Sequence, residues 1–131
     1  MIAESFARVT FQCVHFLPPA ELPPDAAWSL LSLEIVSMDA RGIRDEDRLL
    51  ASIAAALKFP ESFSRNRDAL NDCLRDLEWL PAEGYVLIVR HALSLWRAEP
   101  ALAGALLESW LLCAEFWSDE EVPFHLIFVM E

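Results

Sequence analysis

The stretch Phe59-Pro-Glu-Ser-Phe-Ser-Arg-Asn-Arg-Asp-Ala-Leu-Asn-Asp-Cys-Leu-Arg-Asp-Leu77 joins a proline- and serine-bearing loop to a short amphipathic helix. Asn66 is placed to cap that helix, its side-chain oxygen accepting from a backbone N–H that has no partner within the first turn. Asp68 follows in the first turn, where the helix dipole favours a negative charge. At about 100° per residue, Leu70, Cys73, Leu74 and Leu77 share one side and Asp68, Asn71, Asp72 and Arg75 share the other. One face is therefore expected to be buried. The other presents two carboxylates one turn apart, just after a loop. Read from periodicity alone, a solvated face with no further role is the default meaning of such a pattern.

Outward from this helix the chain alternates strands and helices. On the N-terminal side, Leu31–Met38 reads as a strand, 39–42 as a turn, and Glu46–Lys58 as a helix capped by Asp45 with Leu49, Leu50, Ile53 and Leu57 inward. On the C-terminal side, Tyr85–Arg90 and Pro123–Met130 are apolar runs of the kind found in strands covered on both faces. Between them lie a short helix over His91–Trp96 and a longer one from Pro100 to about Trp117. The expected fold is α/β: a small three-stranded parallel sheet packed with helices. Val9, Phe11 and Cys13 alternate with polar residues and predict an extra N-terminal edge strand. Four prolines in Leu17–Pro24 mark an extended connector, and Asp25–Trp28 a turn of helix. The predicted division is residues 1–30 as an N-terminal extension and 31–131 as the main domain.

The totals bound the function. A chain of 131 residues, 55% of them hydrophobic, suits one domain with a core that needs no disulfide. Net charge is −11, and residues 98–131 hold seven acidic groups and no Lys or Arg. Such a field repels nucleic acid and anionic membrane and attracts a basic protein. Cys13, Cys73 and Cys113 are far apart in apolar sequence and read as reduced core residues of a cytoplasmic protein. The start of the chain lacks the basic residues of a signal peptide, and no apolar run reaches membrane-spanning length. His15, His91 and His125 read as isolated structural histidines. No metal-ligand spacing, phosphate-binding glycine loop or nucleophile motif is present, so no cofactor, metal or enzymatic activity is expected. Asp68 and Asp72 point the same way from one helix and do not flank a bond, as a catalytic carboxylate pair does.

Pro60-Glu61, the aromatic Phe63 and then Asn66-x-Asp68-Ala69-Leu70-x-Asp72-Cys73-Leu74 resemble the signature of the barstar family, bacterial intracellular inhibitors of secreted, barnase-type ribonucleases. The resemblance is densest over Phe59–Leu74 and extends more weakly from about Leu33 to the C-terminus. It implies that the loop and helix plug a nuclease active site, with Asp72 as the deepest aspartate, Asp68 as the second, Asn66 as the structural asparagine and Cys73 facing the core. A carboxylate on a rigid helix takes the place of a phosphate and accepts charge-assisted hydrogen bonds from the active-site cations.

The chain departs from the family pattern. Ser62 stands where the best-known member has a tyrosine, Ser64 where glycine is usual, and Asn71 where an aromatic is common. The nuclease-contacting glutamate of the family's third long helix falls at Cys113 or its neighbour, with Glu115 the candidate. Two aromatic anchors are thus absent, and interface energy concentrates in such anchors. Weak binding to barnase itself is expected, and a different basic ribonuclease or nuclease-like toxin is the expected partner of a monomeric immunity protein, although Trp residues expected to be exposed leave a dimer open. Arg65, Arg67 and Arg75 would add specificity beside the carboxylates. The alternative is a non-inhibitory interaction module of the same fold. Loss of Asp68 and Asp72 separates the two, since only the inhibitor should then fail.

Overall fold

The computed structural model describes Ala3, Phe6, Ala7 and residues 13–131. Four strands form one sheet: β1 (Val14–Leu17), β2 (Glu34–Asp39), β3 (Tyr85–Arg90) and β4 (Phe124–Val129). Their order is β1-β4-β3-β2, and every pairing is parallel. Downstream of residue 12 the α-helices are α1 (Asp25–Trp28), α2 (Glu46–Ala56), α3 (Arg67–Leu74), α4 (Ala92–Ala98) and α5 (Pro100–Asp119). The α/β class, the parallel sheet and the extra N-terminal edge strand are as expected.

Boundaries differ in informative ways. The edge strand lies at Val14–Leu17, immediately after the alternating run, whose residues 8–12 are outside the described residues. Strand β2 starts at Glu34, because Leu31 and Leu33 turn inward to pack instead of joining the ladder. The proline connector is not wholly extended, since Pro19–Glu21 forms a single 3-10 turn. Proline lacks only an N–H that the first turn would leave unpaired anyway. Helix α3 stops at Leu74. Leu77 still reaches the core, but through a left-handed backbone (φ 52°) whose N–H returns to Cys73 O at 3.2 Å.

The core is layered by strand alternation. Tyr85, Leu87 and Val89 of β3 and Phe124, Leu126 and Phe128 of β4 face the large helical layer. Trp110 of α5 stacks flat on Phe124 at 4.0 Å, and its indole N–H donates to Phe124 O. Val86, Ile88, Ile127 and Val129 point to the opposite face. The N-terminal region covers that face with Phe6, Ala27 and Trp28, and with Leu17, Leu22 and Leu31 at its margin. The described part of residues 1–30 therefore contributes both a strand and a cover to the same sheet. Gly84 fits where Leu33 and Pro123 close in, and a Cβ there would lie 2.6 Å from Leu33 Cδ2.

Two expectations are corrected here. No Trp is exposed: Trp28 and Trp110 are buried, and Trp79, Trp96 and Trp117 are half-buried. Nor are the histidines isolated. His15 Nε2 lies 3.0 Å from His125 Nδ1, and the edge of Phe6 meets both rings. Sequence could not show this, because the pair is brought together only by the β1–β4 register. Burial, with His125 as a smaller contributor, pushes the His15 pKa down to about 4. Its folded value lies below its unfolded value, so stability is full above about pH 6.5 and is lost as pH falls towards 4. Arg41 beside Asp39 and Arg90 beside Glu131 hold those carboxyls below their usual range, so the stability they contribute is present at neutral pH and is lost only as pH falls below about 4. Urea unfolding between pH 7.5 and 4.5 should show stability falling with acid. His15→Gln should flatten that slope by up to one proton; an unchanged slope would assign the acid sensitivity elsewhere.

Candidate functional site

The loop ahead of α3 is held from within. Phe59 meets Phe63 edge-to-face at 5.0 Å and Trp79 at 5.7 Å, and the Trp79 indole N–H donates to Leu57 O at 3.0 Å. With its aromatics turned inward, the loop exposes Pro60, Glu61, Ser62, Ser64, Arg65 and Asn66. Phe63 N donates to Pro60 O, closing a turn. Asn66 caps α3 as expected, its Oδ1 accepting from Ala69 N at 2.8 Å.

Helix α3 rests on two supports. Leu70 and Leu74 enter the core. Its flank lies along α5 through three contacts in the same order on both helices: Arg67 Nε to Ser109 Oγ (3.3 Å), Cys113 Sγ to Asn71 O (3.5 Å) and Trp117 Nε1 to Leu74 O (2.7 Å). Ser109, Cys113 and Trp117 are four residues apart and form one line on α5. The two helices thus run parallel, side by side. The Trp117 bond also occupies one of the C-terminal carbonyls that a helix leaves free. That these α5 residues meet α3 was not recognised in the sequence, because α5 is apolar around most of its surface and its periodicity does not mark the flank that meets α3.

On the outward face, Asp68 and Asp72 are exposed, one turn apart, as the spacing predicts. Asp72 Oδ1 lies 3.1 Å from Arg75 Nη2, and the Asp72 side chain remains 77% exposed. An ion pair this open contributes well under about 1 kcal/mol and gives way to a better-placed cation. Ser62, Ser64 and Arg65 lie in the loop that leads to this face. Arg65 is turned to Asp47 of α2 at 3.2 Å. Arg67 lies against Ser109 instead of projecting towards a partner.

Two side chains depart from their expected places. Asn71 is not on the open face. It is half-buried at the α3–α5 seam, where its Oδ1 is shut off from solvent with no hydrogen-bond partner among the described residues. The position lies between the core stripe and the acidic face, and α5 closes over it. Cys73, expected in the core, is half-buried at the edge of the apolar stripe. Burial raises its thiol pKa, with Asp76 and Asp72 adding to the effect. Cys113 is fully buried and pushed up to about 11, chiefly by burial. Cys13 is buried as well, and all three thiols are free.

The arrangement is a rigid, outward pair of carboxylates beside a small polar loop. Compared with known families, residues 33–129 match the one described as Barstar (barnase inhibitor). The chain belongs to the barstar family. Its loop and acidic helix lie within the matched span, whereas β1 and α1 precede it. Comparison with curated proteins finds no match. Among the described residues no helix is long and apolar enough to cross a membrane.

The buried Asn71 Oδ1 gives a direct test of the seam. A buried acceptor left unpaired costs about 1–3 kcal/mol. Asn71→Leu, similar in size and without the polar atom, should stabilise the protein by about 1 kcal/mol in urea unfolding. Destabilisation would mean that Asn71 has a partner in solution.

Proposed function

We propose that this barstar-family protein binds and blocks the active site of a basic ribonuclease or a related nuclease-like toxin, inside the bacterial cell that carries it. The observation that carries this reading is the placement of Asp68 and Asp72. They stand on the one open face of a helix whose other sides are pinned by the core and by α5. Little conformational freedom is left to lose on binding, so the carboxylates are preorganised as phosphate mimics. A ribonuclease groove gathers cationic side chains to hold phosphate, and those cations would displace Arg75 from Asp72 and accept the carboxylates in its place. Inhibition of this kind needs no chemistry from the inhibitor, only steric blockage and complementary charge. The net charge of −11 would also speed encounter with a basic partner.

Ser62 and Ser64 favour a partner other than barnase. Both are exposed and small, and neither supplies an aromatic anchor. Asn71, drawn into the seam, supplies none either.

The test is an inhibition assay against a panel of basic, barnase-type ribonucleases, with wild type beside Asp68→Ala/Asp72→Ala. Stranding desolvated cations costs about 2–5 kcal/mol for each lost partner, an effect for which barnase–barstar is itself a standard example. The double variant should therefore inhibit at least about a thousandfold more weakly, at unchanged thermal stability. Equal inhibition by both proteins would exclude the acidic face as the site, and no inhibition of any panel member by wild type would favour the non-inhibitory interaction module.

A further inference from the structure

Helix α5 carries an apolar strip where a soluble protein would be expected to be polar. Leu112 is 48% and Phe116 39% exposed, with Glu108 and Glu115 exposed beside them; Leu111, 43% exposed, lies further round the helix. Their location follows from the seam. Ser109, Cys113 and Trp117 face α3. At 100° per residue, Phe116 lies about 20° and Leu112 about 60° around α5 from the Ser109 line, on the side away from the core residues Leu106 and Trp110. On α3, Asp68 and Asp72 lie beyond Asn71 on the corresponding outer side. The two outer faces therefore join across the seam into one surface. It runs from the α3 carboxylates, over Leu112 and Phe116, to Glu108 and Glu115, which are both exposed.

We infer that Leu112 and Phe116 are the apolar anchor of the partner interface, replacing the aromatic anchors that Ser62 and Asn71 do not provide. This rests on the reading that the α3 carboxylates bind a basic nuclease. The occupant is that nuclease, bearing an apolar patch flanked by cations on both sides of the groove mouth. Charge decides against a second copy of this chain. The strip has carboxylates on both margins and α5 has no Lys or Arg, so self-pairing sets these carboxylates against one another, while Arg75 at the α3 margin is already paired with Asp72. Interface energy concentrates in a desolvated apolar centre with a polar rim, which is the pattern found here.

The experiment measures inhibition constants against the panel ribonuclease that wild type inhibits most tightly. Leu112→Ser/Phe116→Ser should weaken inhibition at least about tenfold, through faster dissociation, with circular dichroism and thermal unfolding preserved. Glu108→Lys/Glu115→Lys should slow association and reduce its salt dependence. Leu30→Ser is the control, since Leu30 is 82% exposed in the turn after α1, away from the seam. It should change inhibition less than about twofold. If Asp68→Ala/Asp72→Ala abolishes inhibition while Leu112→Ser/Phe116→Ser leaves it intact, the anchor is overturned and the inhibitor reading stands. If wild type inhibits no panel member, both fall. A wild-type dimer in sedimentation that Leu112→Ser/Phe116→Ser dissolves would assign the strip to self-association and overturn the inference.

Discussion

Strands β3 and β4 are buried on both faces, and the remaining architecture answers that constraint. β4 is buried along its whole length and β3 along all but its last residue. An all-parallel sheet cannot leave one face to water, because its side chains are apolar on both sides. The helices of the family domain cover one face. The other is closed by residues that precede the family match: Phe6, Ala27 and Trp28, with β1 added at the β4 edge. The N-terminal extension is thus part of the sheet's burial. The His15–His125 pair sits where this cover meets the sheet.

The same helical layer sets the candidate site. Helix α3 is only eight residues long, too short to be stable by itself. It is held by Leu70 and Leu74 in the core, by the Asn66 cap and by the Ser109–Cys113–Trp117 line of α5. Each fixes a different side of the helix. What remains is one open face, which Asp68 and Asp72 occupy. An acidic pair on a fixed support differs physically from the same pair on a mobile surface helix, because its geometry is set before any partner arrives.

Much of this was legible in advance. The Asn66 and Asp45 caps, the 85–90 strand and the acidic face of α3 follow from local rules that need only neighbouring residues. The barstar resemblance rested on the same short stretch and agrees with the family match over 33–129. Asn71 was misplaced because helical periodicity distinguishes inside from outside but does not say which flank a neighbouring helix will cover. The histidine contact was missed because His15 and His125 are 110 positions apart and meet only through strand register.

The chain by itself determined the parallel α/β class, the capped helix and its two carboxylates, and the acidic charge. These depend on composition, periodicity and capping, which act over a few residues. Only the tertiary structure decided which side of α3 stays open, that Arg65, Arg67 and Arg75 are each engaged within the molecule, and that Leu112 and Phe116 adjoin the acidic face. Those outcomes depend on how two helices some forty residues apart pack in parallel on one sheet, and no local rule carries that information.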